Sequence, residues 1–332
     1  MSRTNDRLKG PSFQAKEHNM MSAHVAIVYS PGYCTDLGGL EKLHCFDINK
    51  YGRIYDQLRA DGVLGPEAAA EPEEVSEEDI RLVHTEVLLK SLEHSHNIAT
   101  YLEAPYLAML PISVLKDKIL KPFRHATGGT ILAGRLALEC GIAVNLGGGY
   151  HHAKPSDGGG FNVYNDLAIA IRKLQSDGLL RRALVVDLDV HQGNGTAVVF
   201  ADDDDVFTFS MHDDSIFPIP KARSSLDVGL AIGTDDETYL GLLKEHLPAV
   251  FDEARPEMVL YQAGCDTIQD DPLANLSMTQ TGIVERDAMV IDACVEHEIP
   301  VAMTLGGGYA PDSWHVQYAS IRNLIETYGL KD

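Results

Sequence analysis

Residues 183–195 read ALVVDLDVHQGNG, a short apolar run that ends abruptly in Asp187, Asp189 and His191. Ala183 to Val186 suits a strand covered on both faces in a parallel sheet, and charged groups so near its end must be paired, hydrogen-bonded or bound to a cation. Asp189 and His191 are two positions apart. On a strand they point to one side, as two ligands of a divalent metal should, and Asp187 shares that side. Taken alone, the stretch fits an acidic surface loop equally well.

The same kind of run recurs along the chain, alternating with segments of helical period. The pattern predicts strands over 24–29, 142–146, 183–186, 206–211, 258–263 and 300–305. It predicts helices over 51–60, 76–84, 85–94, 126–139, 165–176, 236–254, 279–297 and 312–328, the second opened by a capping box of Ser76 and Asp79. The Ala-, Glu-, Pro- and Gly-rich stretch 62–74 reads as a loop. This alternation is that of a single-domain α/β fold with a mainly parallel central sheet flanked by helices. No low-complexity linker divides it; the expected layout is a disordered leader over 1–22 and one catalytic domain over 23–332.

In such a sheet the ligand lies beyond the carboxyl ends of the strands. The run 142–146 leads into GGGYHH, with His151 and His152; 258–263 leads into Gly264, Cys265 and Asp266; 300–305 leads into Gly306, Gly307, Gly308 and Tyr309. These ends and that of 183–186 should meet in one crevice. Asp189, His191 and Asp266, one imidazole and two carboxylates, would make an open zinc site with room for a water and a substrate oxygen. Neither glycine run is a P-loop, since no Gly-Lys-Ser/Thr follows, and a GxGxxG pattern fails at His152. The repeated LGGGY string is too short for an internal repeat and predicts close backbone approach to a ligand.

Adjacent histidines face one site only if the backbone bends, which the preceding glycines allow; one buried and one exposed His is the competing reading. His94 and His96 do not share a helix face, and Asp202 to Asp205 is a solvated turn. No GxSxG elbow and no HExxH motif occurs, so serine hydrolase and zincin chemistry are set aside.

Composition narrows the partners. The net charge of −22 argues against nucleic acid, because phosphate binding needs a basic face, and favours solubility or, weakly, cationic substrates. No apolar run is long enough to span a membrane. Five widely spaced cysteines without a CxxC pair fit a reducing cytoplasm, and the polar N-terminus is not a secretory signal.

GGGYHHAKPSDGGGF, DLDVHQGNG, GCDTIQDDP and LGGGY, in this order, resemble the zinc-dependent histone deacetylase family of the arginase/deacetylase fold, over roughly residues 24–330. SPGYCTDLGGLEKLHCFD and HQGNG are similar to the class IV branch and its bacterial homologues, with Cys45 standing where a Pro is usual. The resemblance implies one catalytic Zn2+ on Asp189, His191 and Asp266, with His151 and His152 as acid/base pair and Tyr309 as the phenol that polarises the scissile carbonyl.

It also implies that His151 leans on Asp187 and His152 on Asn194. A carboxylate stabilises imidazolium more than an amide does, so His152 is expected to stay neutral and serve as base. Phe161 and Phe217 should wall a tunnel for an acyl-lysine stem, with Gly160 and Gly307 beside it and Leu273 on its rim; two ordinary core phenylalanines are the plainer alternative. Asp187, Asp189, His191, Ser210 and Met211 match a structural potassium site in relatives. The implied reaction removes acetyl or longer fatty acyl groups from lysine side chains, with no nucleic acid or membrane partner. An acetylpolyamine deacylase is the nearest alternative, although Leu273 stands where such relatives carry an acid. An arginase-like pair of manganese ions would need carboxylates where Gly193 and Ile268 stand, and a non-catalytic binding protein would not need all six residues.

Overall fold

The computed structural model describes residues 23–65 and 67–331. The leader expected over 1–22 lies outside the described residues.

Eight strands form one sheet: β1 (His24–Val28), β2 (Ala69–Ala70), β3 (Gly141–Asn145), β4 (Ala183–Asp187), β5 (Val206–Asp213), β6 (Leu226–Leu230), β7 (Met258–Gln262) and β8 (Val301–Thr304). Their order is β2-β1-β3-β8-β7-β4-β5-β6, and every pairing is parallel. β4, β7 and β8 are buried at every residue, which is why they read as unbroken apolar runs rather than alternating ones. Helix Lys121–Cys140 packs on β1, β3, β8 and helix Asp166–Ser176, while helix Ser313–Tyr328 packs on helices Lys50–Ala60 and Gln280–Glu296 and on β1. This is the α/β architecture that the alternation predicts. No helix among the described residues is long and apolar enough to cross a membrane.

The four runs expected to deliver polar groups are β3, β8, β7 and β4, which are contiguous in the middle of the sheet. Several boundaries differ from expectation. The predicted helix over 76–84 closes after Glu77–Ile80; Ser76 does cap it, accepting from the Asp79 N–H. The loop over 62–74 contains β2, which pairs with β1 at the sheet edge. β6 and the short helix Asn194–Val199 have no counterpart among the predicted elements. Most consequentially, β4 ends at Asp187, so Asp189 and His191 lie beyond the ladder rather than on a strand. Their common direction is set by loop contacts, not by the two-residue alternation of a sheet.

Candidate active site

The two LGGGY strings lie side by side. Leu305 N–H donates to Gly147 O and Gly306 N–H to Gly148 O, both at 3.2 Å, so the β3/β8 pairing continues past the strands. A Cβ on Gly149 would stand 2.6 Å from Gly306 N. The close approach expected from these glycines is therefore first an approach of the two strings to each other. Gly148 and Gly149 have φ of 72° and 86°, and this left-handed backbone turns the chain so that both following histidines face inward.

Both imidazoles are buried, with their Nε2 atoms 3.1 Å apart. Their far nitrogens have different partners. His151 Nδ1 donates to Asp187 Oδ2 at 2.7 Å, and His152 Nδ1 donates to Asn194 Oδ1 at 2.8 Å. Burial disfavours the charge on His151, but the carboxylates of Asp187 and Asp189 outweigh it and raise the pKa to about 9. Burial together with His151 and His191 drives His152 well below the usual imidazole range. The pair is thus split into one cationic and one neutral ring.

Asp189, His191 and Asp266 present ligand atoms that all lie within 4.8 Å of one another, and all three are buried. Among the described residues no other such group of three occurs. Gln262 Nε2 and Gly307 N–H donate to Asp189 Oδ2 at 3.2 and 2.8 Å, and Val190 N–H donates to Asp266 Oδ1 at 2.9 Å, so the carboxylates are held in place from behind. Burial and the neighbouring charge of Asp189 push the Asp266 carboxyl upward. Two buried carboxylates facing one imidazole, with no Lys or Arg side chain paired to them, are stabilised by a cation, and this donor set fits a divalent ion with an open position.

Tyr309 stands at the same spot, its ring centroid 5.9 Å from that of His191. Burial and the carboxylates of Asp266, Asp189 and Asp271 hold its phenol well above the usual range, hence protonated. Phe161 lies edge-on to Tyr309 at 5.8 Å, and partly exposed Phe217 lies edge-on to His152 at 5.0 Å. Gly160 fits between His152 and Phe217, where a Cβ would come within 2.5 and 3.0 Å of them. Leu273 is half-buried and bonded through its N–H to Asp271 Oδ1. Ser210 sits opposite Asp187 in the β4/β5 ladder, with Met211 following it in the core. Sequence-predicted His151, His152, Asp187, Asp189, His191, Asn194, Asp266 and Tyr309 are thereby all brought to one place.

Sequence reasoning missed Phe46, Gln262, Asp271 and Lys50. Phe46 lines the cavity beside Phe161 and Tyr309. Buried Lys50 Nζ donates to Gly306 O and Gly307 O at 2.9 and 3.2 Å, behind the Tyr309 loop. Only Gln262 left a signal, as the one polar side chain closing the run MVLYQ.

The family profile described as histone deacetylase domain matches residues 44–324. Histone deacetylase 2 of Arabidopsis thaliana is 39% identical over 303 residues, covering 90% of this chain and 78% of its own length. Histone deacetylase 8 of Xenopus tropicalis is 30% identical, with coverage of 77% and 72%, and the acetoin utilization protein AcuC of Staphylococcus aureus is also 30% identical, with coverage of 80% and 74%. The crystal structure of the HDA15 HD domain superposes with a TM-score of 0.74 over 92% of each chain at 21% identity, a likeness of fold. The chain belongs to the histone deacetylase family and is a hydrolase acting on amides.

Proposed function

We propose that this chain removes acyl groups, acetyl or longer, from lysine side chains of proteins, with one zinc ion held by Asp189, His191 and Asp266. The observation that carries the reading is the buried histidine pair beside the buried Asp189, His191 and Asp266 group, with His151 hydrogen-bonded to the Asp187 carboxylate and His152 to the Asn194 amide. When bound, the ion supplies Lewis acidity to the amide oxygen and acidifies a water. His152, with a free lone pair at neutral pH, takes the proton from that water and returns it to the leaving amine. His151 keeps its charge and stabilises the negative charge that develops beside it. The Tyr309 phenol donates to the oxygen on which that charge collects. Asp187, Asp189, His191, Ser210 and Met211 form a second, structural cation site for potassium.

Phe161, Phe217, Gly160, Gly307 and Leu273 guide the lysine stem. An apolar cavity of about 50 Å³, lined by Leu37, Ile48, Leu102, Leu107, Ile119 and Phe123, shares Phe46 and Phe161 with the site as a dividing wall. That cavity, just beyond the wall, supports acyl chains longer than acetyl, and the strings SPGYCTDLGGLEKLHCFD and HQGNG support a place in the class IV branch.

The test is a panel of acetyl-, hexanoyl- and myristoyl-lysine peptides and acetylpolyamines, assayed with and without chelator. Peptide hydrolysis that chelator abolishes and zinc restores, at one metal per chain, is expected, with Phe46→Ala shifting preference toward longer chains. Hydrolysis of polyamines alone, or two metals per chain, overturns the reading.

A further inference from the structure

The β4/β7 ladder ends at the pair Asp187 and Gln262. The two loops that carry Asp189 and Asp266 begin there, with few backbone bonds between them; Leu188 N–H still reaches Gln262 O at 3.0 Å. Beneath them lies the Arg286 side chain, fully buried, on helix Gln280–Glu296. Arg286 Nη1 donates to Leu188 O at 3.1 Å, to Gly264 O at 2.8 Å and to Thr267 Oγ1 at 3.2 Å. Leu188 directly precedes Asp189, Gly264 stands two residues before Asp266, and Thr267 directly follows it. One nitrogen of one side chain therefore joins both ligand-bearing loops.

The rest of the guanidinium is anchored. Its Nε and Nη2 donate to Asp287 Oδ1 at 2.9 and 2.7 Å. Asp287 is held in turn by the Tyr261 hydroxyl from β7 and by the Ser320 hydroxyl from helix Ser313–Tyr328. A buried ion pair of this kind adds little to stability beyond what apolar residues of similar volume would, because desolvation offsets the attraction. Its distinctive contribution is geometric: a planar fork fixed on one side by a carboxylate and directed on the other at two loop carbonyls, that of Leu188 also accepting from the Tyr239 hydroxyl at 3.4 Å.

We propose that Arg286 is a positioning residue for the metal site, setting the separation of Asp189 and Asp266 through Leu188 and Gly264. This inference rests on the reading of Asp189, His191 and Asp266 as metal ligands. Arg286→Lys keeps the charge beside Asp287, but a single ammonium cannot serve both loops and the carboxylate at once. Outer partners of metal ligands typically control affinity by about 10- to 100-fold, and a loss of about tenfold in zinc affinity is expected for R286K.

Zinc affinity is measured by competition with a fluorescent chelator, and amide hydrogen exchange is followed over 187–192 and 263–268 in metal-free protein. The reference is Val290→Ala, a core truncation on the same helix that lowers stability with Arg286 intact. Weaker zinc binding and faster exchange in R286K than in V290A support the proposal; zinc affinity equal to that of V290A, or unchanged exchange, overturns it. If R286K does not fold, Ser320→Ala, which loosens Asp287, is expected to give a smaller loss of about threefold, within the range of such outer contacts, and wild-type affinity in S320A overturns the proposal. Neither readout uses a substrate, so a failure to cleave acyl-lysine strikes the functional reading and leaves this test standing.

Discussion

Tyr309 is tied to Asp271 through its own backbone: the Tyr309 N–H donates to Asp271 Oδ2 at 2.7 Å, and Ala310 N–H reaches the same oxygen at 3.2 Å. The other oxygen accepts from Leu273 N–H at 3.0 Å. One carboxylate therefore fixes both the phenol and the segment at the rim.

Removing that carboxylate should misplace the phenol without removing it. Asp271→Ala is expected to lower kcat by about 10- to 100-fold with little change in KM, as expected when a reacting group shifts by about 1 Å. Steady-state kinetics on an acyl-lysine peptide checks this, with Tyr309→Phe as the comparison: in that background D271A should cost little more.

Asn194→Asp places a carboxylate against His152. The base must be unprotonated to act, and a carboxylate favours imidazolium, so the acidic limb of the kcat/KM profile should move to higher pH by about one unit or more. A limb that stays in place removes His152 from the role of base.

Gly160 has φ of 53°, and a Cβ there would lie 2.5 Å from His152 Cδ2. Gly160→Ala should cost roughly 1–3 kcal/mol of stability from the left-handed backbone alone. It should also lower kcat/KM at least about tenfold by displacing the imidazole, while chelator competition shows unchanged metal affinity.

His84 and His212 make the fold sensitive to acid. Burial lowers both pKa values to about 4, and His84 Nε2 accepts the Asn165 N–H at 2.9 Å, a bond that protonation breaks. The folded value lies below the unfolded one of about 6.5, so the unfolded chain takes up the proton first. Stability is complete above about pH 6.5 and falls as the pH drops toward 4, by up to about 3 kcal/mol per residue. Urea unfolding between pH 7 and 4.5 checks the sign, and His84→Asn should flatten the slope.

The central strands were legible because burial on both faces leaves a plain trace, an apolar run that stops at Gly, Asp or His. β6 lacks that trace: Leu226 to Leu230 is an edge strand, half-exposed on alternate residues, and contains Asp227 and Gly229. Helix Asn194–Val199, six residues long, has too few turns to show a period. The candidate triad was legible because its members follow two apolar runs, Asp189 and His191 after β4 and Asp266 after β7. Arg286 and Asp271 were not, since what they do depends on carbonyls and backbone N–H groups remote in the chain, and a buried arginine on a helix looks like any solvent-facing one until its partners are known.

β8 lies between β3 and β7 and, among the described residues, is the one strand that pairs with both the trio β2-β1-β3 and the quartet β7-β4-β5-β6. A nascent polypeptide that has emerged only through residue 300 thus owns two half-sheets with no strand pairing between them. His151 and His152 belong to one half and Asp189, His191 and Asp266 to the other. During synthesis on the ribosome, catalytic competence would arrive in a single late step, when β8 slides into the middle.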